Sequence, residues 1–201
     1  KSEKAKSKSL WKCFDEFVKV NGKLNDWTPE TYEKFAALRN HLQDFNKKLN
    51  FEDFNEDGIA DFINYMGKKG MKNSTINKQL GFLRWYLRWC YEKDYHTNHT
   101  FEHFKPKLKN ASKRVIFLTQ EELEKVENLK IPEKYTSLEA VRDVFLFCCY
   151  TGLRYSDAYN LTWEDIHNRK IEIVTVKTAD RITIEINSKS QAILDKYSDI
   201  H

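Results

Sequence analysis

At 201 residues, with 40% hydrophobic and 14% aromatic side chains, the chain is long enough for one large domain or two small ones with filled cores. No run of about 18 apolar residues is present for a membrane span, and the KSEKAKSKS start lacks the apolar core of a secretion signal, so membrane and secreted classes are set aside and a cytoplasmic protein is expected. The net charge of +4 is unevenly shared: residues 1–112 carry 21 Lys and Arg against 15 Asp and Glu, whereas residues 113–201 carry 13 against 15. That modest excess does not by itself identify a nucleic-acid binder. Cys13, Cys90, Cys148 and Cys149 show no Cys-x-x-Cys spacing and read as reduced thiols.

Apolar periodicity predicts four helices in the first half, at about Ser9 to Val20, Pro29 to Leu49, Asp57 to Lys68 and Thr75 to Lys93, separated by Asn21-Gly22 and Gly70 to Asn73. In the fourth, Ile76, Leu80, Leu83 and Leu87 form an apolar face. Asn77, Gly81, Arg84 and Arg88 repeat the same spacing beside it. One face packs and the other can meet phosphate, with Asn77 and Lys78 adding donors near the helix start; a merely solvated basic face is the plainer alternative. Gly81 costs roughly 1 kcal/mol relative to alanine, which suits close approach by a ligand or another helix. Trp85, Tyr86 and Trp89 are expected to pack. His96, His99 and His103, with Cys90, match no zinc-finger spacing; no metal is expected, and the histidines are read as solvent-exposed. From Phe104 to Arg114 the periodicity lapses around Pro106, and Lys105, Lys107, Lys109, Lys113 and Arg114 mark a basic linker.

Thr119-Gln120-Glu121-Glu122 is a capping box opening a helix to about Leu129. A second helix, Leu138 to Tyr150, places Val141, Val144, Phe145, Cys148 and Cys149 on an expected core face and ends at Gly152. Leu153 then anchors the corner, and Ser156 is expected to cap a short helix through Asp157, Tyr159 and Leu161. Arg154 is held between the two helices. Its guanidinium offers a planar fork for phosphate or carboxylate, or simply an ion pair with Asp157 three residues on. Two alternating runs, Ile171 to Val176 and Arg181 to Asn187, predict a hairpin with a four-residue turn, Lys177 to Asp180. Lys177 ends the first strand and is otherwise an ordinary solvated lysine. His167-Asn168-Arg169-Lys170 falls in the turn before it, and a last helix starts near Ser190. No Gly-rich phosphate loop, nucleophile elbow or His-Glu-x-x-His motif occurs, so neither a cofactor nor a small-molecule substrate is expected.

TGLRYSDAYNLTWEDI, residues 151–166, closely resembles the first arginine box of tyrosine recombinases, the phage-integrase family, in the form found in integrases of Bacteroides-type mobile elements. The resemblance implies that Arg154 holds the scissile phosphate, that Asp157 supports it, and that Lys177 on the hairpin turn acts as general acid toward the leaving 5′ hydroxyl. It divides the chain into a helical core-binding (SAM-like) domain at 1–104, a basic linker at 105–114 and the beginning of a catalytic domain at 115–201. The fold implied is mainly α with a small β-hairpin in an α+β second domain.

The family's His-x-x-Arg box and tyrosine nucleophile do not follow. The chain is therefore read as a fragment, inactive alone, of an enzyme that breaks and rejoins DNA through a 3′-phosphotyrosyl link for integration or excision of a mobile element. Tyr150, Tyr155 and Tyr159 are read as packing residues, and neither they nor Tyr197 are named as the nucleophile. Double-stranded attachment-site DNA, a homotetramer of the intact protein and a bacterial cytoplasm are implied. DNA contacts are expected from Asn77, Lys78, Arg84, Arg88 and the linker residues Lys105, Lys107, Lys109, Lys113 and Arg114. A noncatalytic DNA-binding or architectural protein, or a helical protein-interaction module, remain the other classes.

Overall fold

The computed structural model describes residues 8–106, 108–109 and 115–199. It divides into two compact units, Lys1–Lys113 and Arg114–His201. The architecture is mainly helical, with one small three-stranded antiparallel sheet in the second unit.

In the first unit, α1 (Leu10–Leu24), α2 (Pro29–Phe45), α3 (Glu56–Lys68) and α4 (Asn73–Glu92) surround one core, followed by a single turn, α5 (Thr100–His103). The apolar faces meet as aromatic against aromatic. Phe17 is fully buried and makes edge-on contacts with Phe35, Trp85, Tyr86 and Trp89 at 5.3 to 5.6 Å, and Trp27 stacks on Phe35 at 4.5 Å. The Tyr86 hydroxyl, buried beneath these rings, donates to Leu10 O at 2.6 Å. Cys13 and Cys90 lie in the same core, where burial pushes both thiols up and keeps them unreactive.

Helix α1 runs four residues beyond the expected Val20. Asn21 and Gly22 were expected to break it, but Asn21 Nδ2 donates to Phe17 O at 3.1 Å, and a Cβ on Gly22 would lie 2.2 Å from the Tyr32 hydroxyl. Here the glycine admits the neighbouring helix. Helix α2 stops at Phe45, short of Leu49, which turns into the core. His96 is buried, contrary to the solvent-exposed expectation: it stacks on Phe51 at 4.5 Å and hydrogen-bonds Leu87 O at 2.9 Å, while burial lowers its pKa. Phe104 and Leu108 also pack on this core, and Asn73 Nδ2 donates to Lys109 O at 2.6 Å. Phe104, Leu108 and the Lys109 carbonyl thus lie against the helical unit.

The second unit comprises α6 (Gln120–Glu127), α7 (Ser137–Thr151), α8 (Tyr155–Tyr159), strands β1 (Ile166–His167), β2 (Lys170–Val174) and β3 (Arg181–Glu185) in that spatial order, and α9 (Ser188–Tyr197). The capping box is formed, with Thr119 Oγ1 accepting from Glu122 N at 3.2 Å and Glu122 Oε2 accepting from Thr119 N at 2.9 Å. Ile171 pairs with Ile184 and Ile173 with Ile182, and fully buried Ile171 centres a small core with Phe147, Leu153 and Ile186. Strand β1 was not expected. It joins β2 through Asn168 and Arg169, both at positive φ (50° and 59°), a two-residue turn that ordinarily calls for glycine.

Helix α7 turns a different face inward than its periodicity suggested. Val141, Val144, Phe145 and Cys149 are exposed, whereas Asp143, Leu146, Phe147 and Thr151 are buried. The helix is apolar on both sides, and a buried aspartate decides between them. Asp143 accepts from Lys196 Nζ at 2.6 Å, the Tyr197 hydroxyl at 2.9 Å and Arg142 Nε at 3.2 Å, which fastens α9 to α7. Burial alone would raise the Asp143 pKa; these donors outweigh it and hold the carboxyl below its usual range.

Candidate nucleic-acid interface

Arg154 owes its position to how α7 ends. Gly152 takes the left-handed conformation at φ 73° and its N donates to Cys148 O at 2.9 Å, closing the helix. Leu153 is buried beside it, with its N near Thr151 Oγ1 at 3.3 Å. Arg154 itself is extended (φ −71°, ψ 151°) and is the N-cap of α8, its carbonyl accepting from Asp157 N and Ala158 N at 2.9 and 3.0 Å. Ser156 is therefore inside the helix and makes no cap, because the chain enters α8 two residues sooner than expected.

The Arg154 side chain is 55% exposed, while the Asp157 side chain is 1% exposed, with Nη1 and Oδ2 3.8 Å apart. This is a loose pair. The Arg154 donors remain open to an anion while a buried carboxylate steadies them. The other Asp157 oxygen, Oδ1, accepts from Val176 N at 2.8 Å. Lys177 is the next residue, exposed at the tip of the connection between β2 and β3. That connection has six residues, 175–180, rather than four, because the last cross-strand pair is Val174 with Arg181. The structure thus brings the arginine corner and the lysine turn onto one carboxylate. Thr175 and the Val176 amide escaped the sequence reading, since a backbone donor leaves no signal in side-chain pattern.

Tyr155 and Tyr159 are exposed (67% and 75%) with ring centroids 6.0 Å apart, so they are not packing residues as expected; Asp157, between them in sequence, takes the inward face of α8. The Tyr150 hydroxyl is buried and has no hydrogen bond of good geometry among the described residues. Tyr197 donates to Asp143, and burial followed by that carboxylate pushes its pKa up to about 12, the opposite of an activated nucleophile.

On α4 the expected contact residues divide. Lys78 and Arg88 are exposed, Arg88 Nε lying 4.0 Å from Glu102 Oε1. Asn77 is half-buried. Arg84 is also half-buried, with Nη2 3.5 Å from Phe104 O and its pKa lowered by burial. Because α4 begins at Asn73 with Lys72 as N-cap, the free amides of its first turn belong to Asn73 and Ser74, not to Asn77 and Lys78. Among the described residues a Cβ on Gly81 would meet no atom of another element within 4 Å, so no described helix makes the close approach envisaged there. Lys105 and Lys109 are exposed; Lys107, Lys113 and Arg114 lie outside the described residues. Among the described residues no group of three or more His, Cys, Asp or Glu could hold a metal, and no helix is long and apolar enough to cross a membrane.

The fold, a helical unit followed by a smaller mixed unit, is similar to that of known proteins. Residues 9–108 match the family described as the phage integrase SAM-like domain. The fold is similar over 96% of the chain to the Tn1549 transposon integrase in complex with a circular intermediate DNA, at 15% identity and a TM-score of 0.77, covering 66% of that chain. It is likewise similar over 96% to a lambda integrase tetramer bound to a Holliday junction (19% identity, TM-score 0.75, 57% of that chain) and to a lambda integrase dimer bound to a COC′ core site (18%, 0.75, 70%). The chain thus spans about two thirds of the Tn1549 integrase chain it matches first. A comparison with curated proteins returns no match. Residues 9–108 thus belong to the phage integrase SAM-like domain family, and over 96% of its length the chain has the fold of the Tn1549 and lambda integrases.

Proposed function

We propose that this chain is the duplex-gripping part of a site-specific tyrosine recombinase, acting on double-stranded attachment sites of a mobile element in a bacterial cytoplasm. The observation that carries this reading is the buried Asp157 carboxylate facing Arg154 at 3.8 Å and the Val176 amide at 2.8 Å, beside Lys177. In the complete enzyme, a homotetramer in this reading, a tyrosine supplied from elsewhere attacks the scissile phosphodiester and forms a 3′-phosphotyrosyl link. Arg154 offsets charge on the nonbridging oxygens. Lys177 protonates the departing 5′ oxygen. Neither role calls for a metal or a nucleotide.

Lys78, Arg88, Lys105 and Lys109 supply phosphate contacts that position the duplex without reading sequence, joined by Lys107, Lys113 and Arg114. Arg84 is a weaker candidate, since its guanidinium is already half-buried against Phe104 O.

Binding of a random-sequence duplex across a salt series tests the proposal. Affinity is expected to fall steeply with salt, and Lys105→Ala/Lys109→Ala to lower the slope of log K against log salt by about 2. A salt-independent or undetectable interaction at low salt would favour the protein-interaction class instead.

A further inference from the structure

A six-residue connection carrying an exposed lysine is ordinarily free to wander. This one is tied at several points. Across its base, Thr175 N donates to Asp180 O and Ala179 N donates to Thr175 O, both at 2.9 Å. The Thr175 hydroxyl, on a residue 4% exposed, lies 2.9 Å from Thr178 Oγ1 and accepts from Asp180 N at 3.2 Å. Ala179 is held at φ 56°, a conformation uncommon outside glycine. At the tip, Val176 N donates to Asp157 Oδ1, which reaches it from a helix nineteen residues earlier in the chain.

Asp157 is nearly devoid of solvent, and its two oxygens are divided: Oδ1 holds the turn and Oδ2 faces Arg154. A buried carboxylate needs both partners, because an unpaired one is costly. Moving either partner therefore changes the footing of the other.

We infer that Asp157 and Thr175 are positioning residues that set the Lys177 turn before any duplex arrives, and that Asp157 couples that turn to Arg154. The inference rests on the reading of Arg154 and Lys177 as phosphate-site groups. It goes beyond support of the arginine alone. Thr175 fixes the shape of the turn and Asp157 fixes its place relative to the corner.

Amide hydrogen exchange of the DNA-free chain tests the first half. Val176 and Asp180 amides are expected to be protected, and Asp157→Ala to speed exchange at Val176, and Thr175→Val at Asp180, by about tenfold, the worth of one hydrogen bond. Thr175→Ser retains the hydroxyl and Asp157→Asn retains an acceptor, so both are expected to keep most of the protection, and a melting transition confirms that each variant is folded. Val176 exchanging equally in the unsubstituted chain and in Asp157→Ala overturns the inference.

Duplex affinity tests the coupling. Lys177→Ala is expected to weaken binding about fivefold in the unsubstituted chain, and to have no further effect in the Thr175→Val or Asp157→Ala background. An equal fivefold loss in all three backgrounds overturns the positioning role. No effect of Lys177→Ala in any background overturns the assignment of Lys177 to the duplex in the proposed function, and the exchange measurements then judge the tied turn independently.

Discussion

In the amino-terminal unit the large aromatic side chains face one another, with Phe14, Phe17, Phe35, Phe54, Phe62 and Tyr86 almost wholly buried; in the carboxy-terminal unit Val115, Ile116, Phe117, Val141, Phe145, Tyr155 and Tyr159 face outward. Both are built from ordinary amphipathic elements, so composition does not separate them. What differs is how many partners each helix has. Helix α4 packs against α1, α2 and α3, so three of its neighbours share one core, whereas the apolar stripe on α7 stays 38 to 63% exposed at Val141, Val144 and Phe145. The first unit is stabilised by its interior. The second relies more on particular polar fastenings, above all Asp143 between α7 and α9 and Asp157 between α8 and the hairpin.

The sharpest way to break this comparison is to truncate one aromatic in each unit. Phe17→Ala empties the centre of the first core and is expected to cost about 3 to 5 kcal/mol. Phe145→Ala, on the outward face of α7, is expected to change stability by no more than about 0.5 kcal/mol. Urea unfolding of both variants, followed by tryptophan fluorescence for the first unit and by circular dichroism for the whole, measures the two directly. Similar losses would mean that α7 is covered in solution by something other than the described chain.

The polar fastening in the second unit is tested by Asp143→Ala. Three donors lose their acceptor, and because Lys196 can turn back to water the cost is expected near the lower end for a broken buried pair, about 3 kcal/mol. The pH dependence has a definite sign. The native carboxyl titrates below the unfolded one, so its stabilisation is complete above the unfolded value, near pH 4, and is lost as pH falls through the depressed native value. Unfolding midpoints of the original chain should drop on the acid side of about pH 4, and those of Asp143→Asn should lack that component.

Much of the helical unit was legible from apolar spacing, and so were Gly152 as the closure of α7 and the capping box at Thr119. The failures have physical causes. Asn21-Gly22 reads as a break in sequence, yet Gly22 sits mid-helix because the Tyr32 ring occupies the space its side chain would need. The inward face of α7 was misassigned because burying Asp143 makes sense only once Lys196 and Tyr197, more than fifty residues away, are brought to it. At the site, Arg154 and Asp157 were visible as a motif, but the tie to Val176 is a backbone contact across nineteen residues, and pattern cannot express it. Arg84 matched the basic spacing of α4 and yet turned toward Phe104 O, since the return of the chain through α5 lies beyond a helical wheel.

Gly81 offers the smallest effect and a way to separate stability from binding within one residue. It lies mid-helix in α4, on the exposed side, with no other described element within 4 Å of where a Cβ would stand. A glycine there loses backbone entropy on folding without gaining room for any internal neighbour, so Gly81→Ala is expected to stabilise the chain by about 0.5 to 1 kcal/mol. If the face bearing Lys78 and Arg88 meets a duplex closely, the methyl stands between helix and phosphate. The same substitution should then weaken duplex binding while raising the unfolding midpoint, and Gly81→Leu should weaken it further. A variant more stable and equally tight would place the duplex elsewhere on the unit, and the lysines at 105 and 109 would have to carry the contact.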